Sequence, residues 1–121
     1  MLMGDLITAV AYDLPVKLVV FDNARLGMVK LEMEQAGLPE HGAELHNPDF
    51  AAVARAVGMQ GVRVTDPDAV DDAVRDAFAR PGPVLLDVVT NPDEVAVPPA
   101  PTLTKGLGFA VGKSKEFLES H

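Results

Sequence analysis

Apolar residues recur at three- and four-residue spacing over Leu2, Met3, Leu6, Ile7, Val10 and Ala11, which predicts an amphipathic helix running to Tyr12. Asp13-Leu14-Pro15 ends it, because a proline disfavours helix at the residue before it. The period then changes. Val16 to Phe21 is a nearly continuous apolar run, the pattern of a strand buried on both faces of a parallel sheet. Asp22 to Gly27 follows as a polar, glycine-bearing stretch, and a second helix is expected over Gly27–Gln35. Gly37, Pro39, Gly42 and Pro48 mark the next stretch as an irregular loop. Asp49 is suited to cap a helix over Phe50–Val57 that Gly58 closes.

Val62-Arg63-Val64 has the pattern of a short strand. Asp66-Pro67 opens a helix to about Ala79, with Pro67 at its first position, acids in its first turn, and Val70, Val74, Ala77 and Phe78 facing inward. Arg80-Pro81-Gly82 stops it, and Pro83 to Thr90 carries a second buried strand. Pro92, Pro98, Pro99 and Pro101 stiffen the segment that follows. A terminal helix over Lys105–Glu119 has the least support, because Gly106, Gly108 and Gly112 fall inside it and no clean apolar stripe runs along it. The alternating order implies an α/β protein, a three-layer sandwich with a mostly parallel sheet and helices on both faces.

The length of 121 residues suits one domain, residues 1–121. Eighteen acids against ten bases give a net charge of -8, which argues against nucleic acid as a partner. The absence of cysteine excludes disulfides and thiol chemistry. No segment has the apolar length of a membrane span, and no basic region precedes the first residues, so a cytoplasmic location is expected. Because a helical pattern starts at once with no leading strand, the chain reads as a fragment.

In sheets of this class ligands bind beyond the carboxyl ends of the strands, which directs attention to the loop that starts at Asp22. The amide oxygen of Asn23 suits a hard cation such as Mg²⁺, and the helix start beyond Gly27 favours anions. A plain turn explains the same residues. Met28 and Glu32 stand four apart, on one helix face beside that loop. Each also has a bland account, Met28 as a gap filler and Glu32 as a solvated carboxylate alongside Glu34 and Lys30. His41, His46 and His121 form no ligand cluster, and Asp66, Asp68, Asp71 and Asp72 fit the charged start of a helix.

The runs Met1-Leu2-Met3-Gly4-Asp5, Leu14-Pro15-Val16-Lys17, Val19-Val20-Phe21-Asp22-Asn23 and Leu26-Gly27 resemble the C-terminal, diphosphate-binding domain of thiamin-diphosphate enzymes. The likeness is to the pyruvate oxidase and pyruvate:quinone dehydrogenase group. It continues through Glu44-Leu45-His46, Asn47-Pro48-Asp49-Phe50-Ala51, Gly61-Val62-Arg63-Val64, Gly82 to Val89 and Lys105-Gly106. It implies that Asn23 ligates Mg²⁺ through its side chain and Arg25 through its carbonyl. It also implies that Asn23, Ala24, Arg25, Leu26, Gly27, Met28 and Val29 line the diphosphate. Met28 and Glu32 match positions near the substrate.

Two departures matter. The first asparagine of the family's pair is Asp22 here, and the Gly-Asp-Gly half of the cofactor motif, with its metal-binding aspartate, is missing. The resemblance implies oxidative decarboxylation of pyruvate to acetate, with another 2-keto acid as an alternative substrate. Thiamin diphosphate, Mg²⁺ and FAD would be the cofactors and a quinone the acceptor. The pyrimidine-binding and FAD domains would lie upstream, the full-length protein would be a homo-oligomer, and this chain alone would be inactive and would bind no lipid. Alternatives are an acetolactate synthase or other 2-keto acid decarboxylase, and a non-catalytic, self-associating domain.

Overall fold

The structure, a computed structural model, describes residues 3–94 and 103–119. In chain order the elements are α1 (Asp5–Ala11), β1 (Lys17–Asp22), α2 (Gly27–Gln35), α3 (Phe50–Ala56), β2 (Gln60–Val64), a 3₁₀ turn (Pro67–Ala69), α4 (Val70–Ala79), β3 (Val84–Val89) and α5 (Leu103–Glu119). They fall into two compact units. Residues 1–22 and 47–90 form the first, and residues 23–46 and 91–121 the second.

The first unit is a parallel sheet in the order β1-β3-β2. Leu18 stands beside Leu85 and Gly61 beside Leu85 from the other side, so β3 is the central strand. Side chains alternate across it. Leu85 joins Leu6, Ala9, Phe50, Ala54 and Met59 in a core under α1 and α3, whereas Val84 and Leu86 meet Ala77 under α4. Helices therefore cover both faces, as the alternating pattern requires.

Local chemistry sets the boundaries. Asp49 accepts the Ala52 N–H at 2.7 Å and so caps α3. Gly58, at a φ of 89°, ends the turn after it in a conformation that side chains rarely adopt. Asp66 accepts the Asp68 N–H at 3.0 Å, and Pro67 leads the 3₁₀ turn. A Cβ on Gly61 would lie 2.2 Å from the Ala51 carbonyl, so only glycine lets α3 sit this close to β2.

Two expectations fail here, for one reason. β1 is not covered on both faces: Leu18, Val19 and Phe21 are exposed, Phe21 by 73%. Phe78 of α4 is exposed by 69% rather than inward. Composition identifies a strand or an amphipathic helix, but burial depends on what lies beside it. β1 is an edge strand, and α4 packs over β3 and β2.

The second unit is built on α2 and α5. The 17 residues of α5 form the longest helix described, although its glycines argued against it. Those glycines are contact points. A Cβ on Gly108 would lie 1.9 Å from the Gln35 carbonyl, and one on Gly112 would lie 3.1 Å from that of Glu34. Their bare backbone lets α5 approach α2 to a distance a side chain would block. Lys115 donates to the Gly37 carbonyl at 3.0 Å and fixes the same contact. Leu107, Val111, Phe117 and Leu118 of α5 remain exposed, so the helix presents more apolar surface than its sequence suggested. The proline segment at residues 95–102 and His121 lie outside the described residues.

Candidate functional site

The loop that follows β1 belongs to the second unit and is held from within. Asn23 accepts the Arg25 N–H on its Oδ1 at 3.1 Å, the side-chain-to-backbone turn that asparagine favours. Ala24 between them has a φ of 51°. For a residue with a Cβ this is a costly conformation, about 1 kcal/mol or more, and such strain persists only where the surroundings enforce it. Two backbone bonds do so. Leu45 N–H donates to the Ala24 carbonyl and Leu26 N–H to that of Ala43, each at 2.8 Å. Arg25 and Glu44 thereby form an isolated antiparallel bridge.

This anchoring leaves a defined set of groups unused. Among the described residues no hydrogen bond ends on the Arg25 carbonyl. Leu26 precedes α2 without a side-chain cap, and the Gly27, Met28 and Val29 amides donate to no acceptor among the described residues. Asn23 Oδ1 retains a second lone pair. Two neutral oxygens and a helix N-terminus are therefore presented together. Hard oxygens suit Mg²⁺, which keeps water and substrate phosphates as its other ligands, and free first-turn amides suit a phosphate. The donor set fits the expected group. Among the described residues no three His, Cys, Asp or Glu side chains could hold a metal, so a carboxylate-rich centre is not the alternative.

Asp22, the departure from the asparagine pair, is 6% exposed and already engaged. Its carboxylate accepts the Asn47 Nδ2 at 2.8 Å and lies 3.6 Å from Arg63. Arg63 also reaches Asp87, which is wholly buried and takes the Phe50 N–H at 3.1 Å on Oδ2. The added negative charge is thus matched by a cation within the first unit. Asp87 Oδ1 has no hydrogen-bond partner among the described residues.

Met28 is 55% exposed, and Glu32 is exposed on the same side of α2. Their common face is confirmed, but Lys30 and Glu34 are not solvated neighbours: they are 5% and 4% exposed. Lys30 contacts Asp93 and lies 3.5 Å from Glu40 and 4.0 Å from Glu34. Sequence reasoning missed this cluster and that of Arg63. The signals were present as Asp87 within an apolar strand and as Lys30 and Glu34 four residues apart, since a buried charge requires a partner. His41 and His46 are exposed, as expected of residues outside a ligand cluster.

A hollow of about 260 Å³ in the first unit, lined by Leu6, Leu18, Val20, Phe50 and Leu85 among others, is almost entirely apolar. It offers no convergent polar groups and is not the chemical site. No helix among the described residues is long and apolar enough to cross a membrane.

The sheet of the first unit is parallel with helices on both faces, and in the second unit an oxygen-bearing loop leads into the N-terminus of α2. Residues 1–88 match the family described as thiamine pyrophosphate enzyme, C-terminal TPP binding domain, and the chain belongs to that family. It is 34% identical over 99% of its length to a protein of Bacillus subtilis named as thiamine pyrophosphate-containing, of which it covers 21%. It is 38% identical over 77% of its length to a pyruvate oxidase of Lactiplantibacillus plantarum and 35% over 74% to an acetolactate synthase of Zea mays, covering 16% of each. The chain thus spans about a fifth or less of these relatives.

Proposed function

We propose that this chain supplies the metal- and diphosphate-holding loop of a thiamin-diphosphate enzyme that decarboxylates pyruvate or a similar 2-keto acid. The observation that carries the reading is the strained, doubly anchored loop with its unengaged Arg25 carbonyl. Asn23 Oδ1 and that carbonyl would hold Mg²⁺, and the amides of Gly27, Met28 and Val29 would receive the diphosphate. When bound, the cofactor supplies the electron sink that decarboxylation of a 2-keto acid needs. The chain contributes binding and orientation. Glu32 and Met28, one turn apart and exposed, are suited to meet the substrate as a polar and an apolar contact.

Within that chemistry the pyruvate oxidase type is the reading we favour, with acetate as product, FAD and a quinone as acceptors, and assembly as a homo-oligomer. It draws on Leu26-Gly27-Met28, Glu44-Leu45-His46 and the 38% identity to a pyruvate oxidase. Acetolactate synthase is the second reading, supported by relatives at 34–35% identity. The FAD and pyrimidine-binding parts belong to the whole protein. Calorimetric titration with Mg²⁺ and thiamin diphosphate tests the site: binding should require the metal, and Asn23→Ala should weaken it about tenfold or more. Binding unaffected by Asn23→Ala would overturn the assignment. With pyruvate and the full-length protein, acetate formation coupled to acceptor reduction supports the oxidase reading, and acetolactate the synthase.

A further inference from the structure

The second unit holds a chain of charges that the family resemblance does not explain. Arg25, whose carbonyl is left open, sends its guanidinium to Glu40, and Glu44 lies 3.4 Å from it. Glu40 is the only one of the two that also reaches α2, through Oε2 at 3.5 Å from Lys30 Nζ. Its side chain is 17% exposed, and those of Arg25 and Lys30 are 20% and 6% exposed, whereas that of Glu44 is 72% exposed. One shielded carboxylate therefore joins the residue before the helix cap to a lysine one turn inside the helix. Between these two residues lie the three free amides.

We propose that Glu40 is the positioning residue of the metal loop. By tying Arg25 to Lys30, its carboxylate fixes the Arg25 carbonyl relative to the first turn of α2, so that metal ligand and diphosphate donors keep one geometry. Without the bridge the turn at Ala24 would lose its tie to Lys30 of α2, and the carbonyl would swing with the guanidinium. Glu44, exposed and paired among the described residues with Arg25 only, cannot set that relation. This inference rests on the reading of the loop as a Mg²⁺–diphosphate site.

The test compares Glu40→Gln, which keeps the shape and removes the charge, with Glu44→Gln. Mn²⁺ serves as the metal probe with thiamin diphosphate, its binding read by electron paramagnetic resonance on the full-length protein. Hydrogen exchange of the Leu26 and Leu45 amides is read without metal. Glu40→Gln should weaken Mn²⁺ binding about tenfold and speed exchange at both amides, while Glu44→Gln changes either less than about twofold. Excess Mg²⁺ should restore thiamin diphosphate binding to Glu40→Gln, a rescue that a mere folding defect would not show. Equal effects of the two substitutions, Mn²⁺ binding by Glu40→Gln within about twofold of the parent, or a loss that Mg²⁺ cannot rescue would overturn the proposal. A parent protein that binds no Mn²⁺ with thiamin diphosphate would overturn the reading of the loop itself, and the proposal with it.

Discussion

The two units solve the burial of charge in different ways. In the first, Arg63 reaches two buried carboxylates, Asp22 and Asp87, which also accept the Asn47 amide and the Phe50 N–H respectively. The apolar cores on either side of β3 bury the sheet around this point. In the second, two cations, Arg25 and Lys30, are shared among Glu34, Glu40, Glu44 and Asp93, and the helices meet over bare glycine backbone. The first arrangement depends on a single side chain. The second is distributed, so it tolerates loss of one partner while letting geometry drift. That contrast suits a rigid sheet in one unit and a more adjustable loop in the other.

Removing the single cation should have the largest effect. Arg63→Met removes the guanidinium paired with the wholly buried Asp87, a change that costs about 3–5 kcal/mol in comparable buried pairs. Because Arg63 is about one-third exposed, the lower end of that range is expected. Denaturant unfolding monitored by circular dichroism would measure it. A loss below about 1 kcal/mol would show that the first unit does not hinge on this arginine.

The glycine contact comes next. Gly108→Ala places a methyl where the Gln35 carbonyl now lies, and overpacking of this kind costs about 1–3 kcal/mol. The damage should stay in α2 and α5. Hydrogen exchange should quicken there while β3 amides keep their protection, since locally packed units open separately. Equal loosening of β3 would mean that the units unfold as one.

Legibility in the sequence followed the same division. Periodicity and capping residues located α2 at its observed bounds, α3 within a residue, and the parallel direction of the strands, because these signals are local. Asn23 and Arg25 were legible only through family resemblance, since an Asn before a turn carries no chemistry by itself. What stayed hidden depends on neighbours far along the chain. Phe21 and Phe78 read as core residues until the position of β1 at the sheet edge and of α4 over β2 and β3 was known. The glycines of α5 read as breakers because the facing backbone of Gln35 and Glu34 cannot be inferred from spacing. Lys30 read as solvated for the same reason: its partners Glu40 and Asp93 are distant in sequence.

Surface substitutions give smaller effects and sharpen the comparison from its edge. Phe21→Ser and Phe78→Ser should each change stability by less than about 0.5 kcal/mol, since both rings are already mostly wet. If the protein self-associates through the open face of β1, Phe21→Ser should weaken that association in light scattering over a dilution series while Phe78→Ser, on α4, leaves it intact. Equal behaviour of the two variants would remove β1 from the contact.

The smallest structural effect is expected at Glu32. Its carboxylate is exposed on α2, and no ion pair or hydrogen bond to it exists among the described residues, so Glu32→Gln removes charge without removing a contact. Thermal unfolding of the variant should match the parent to within about 0.5 kcal/mol. A carboxylate without structural duties beside the loop proposed to hold the diphosphate is either idle or used by the ligand, and kinetics separates the two. If Glu32 meets the 2-keto acid, Glu32→Gln in the full-length protein lowers kcat/KM for pyruvate about tenfold or more, while Mg²⁺-dependent binding of thiamin diphosphate is unchanged. The neighbouring Met28→Ala should raise KM with less change in kcat, as expected for an apolar contact made equally in the ground and transition states. Unchanged kinetics in Glu32→Gln would return this side chain to the solvated surface and confine the site to the loop from Asn23 to Val29.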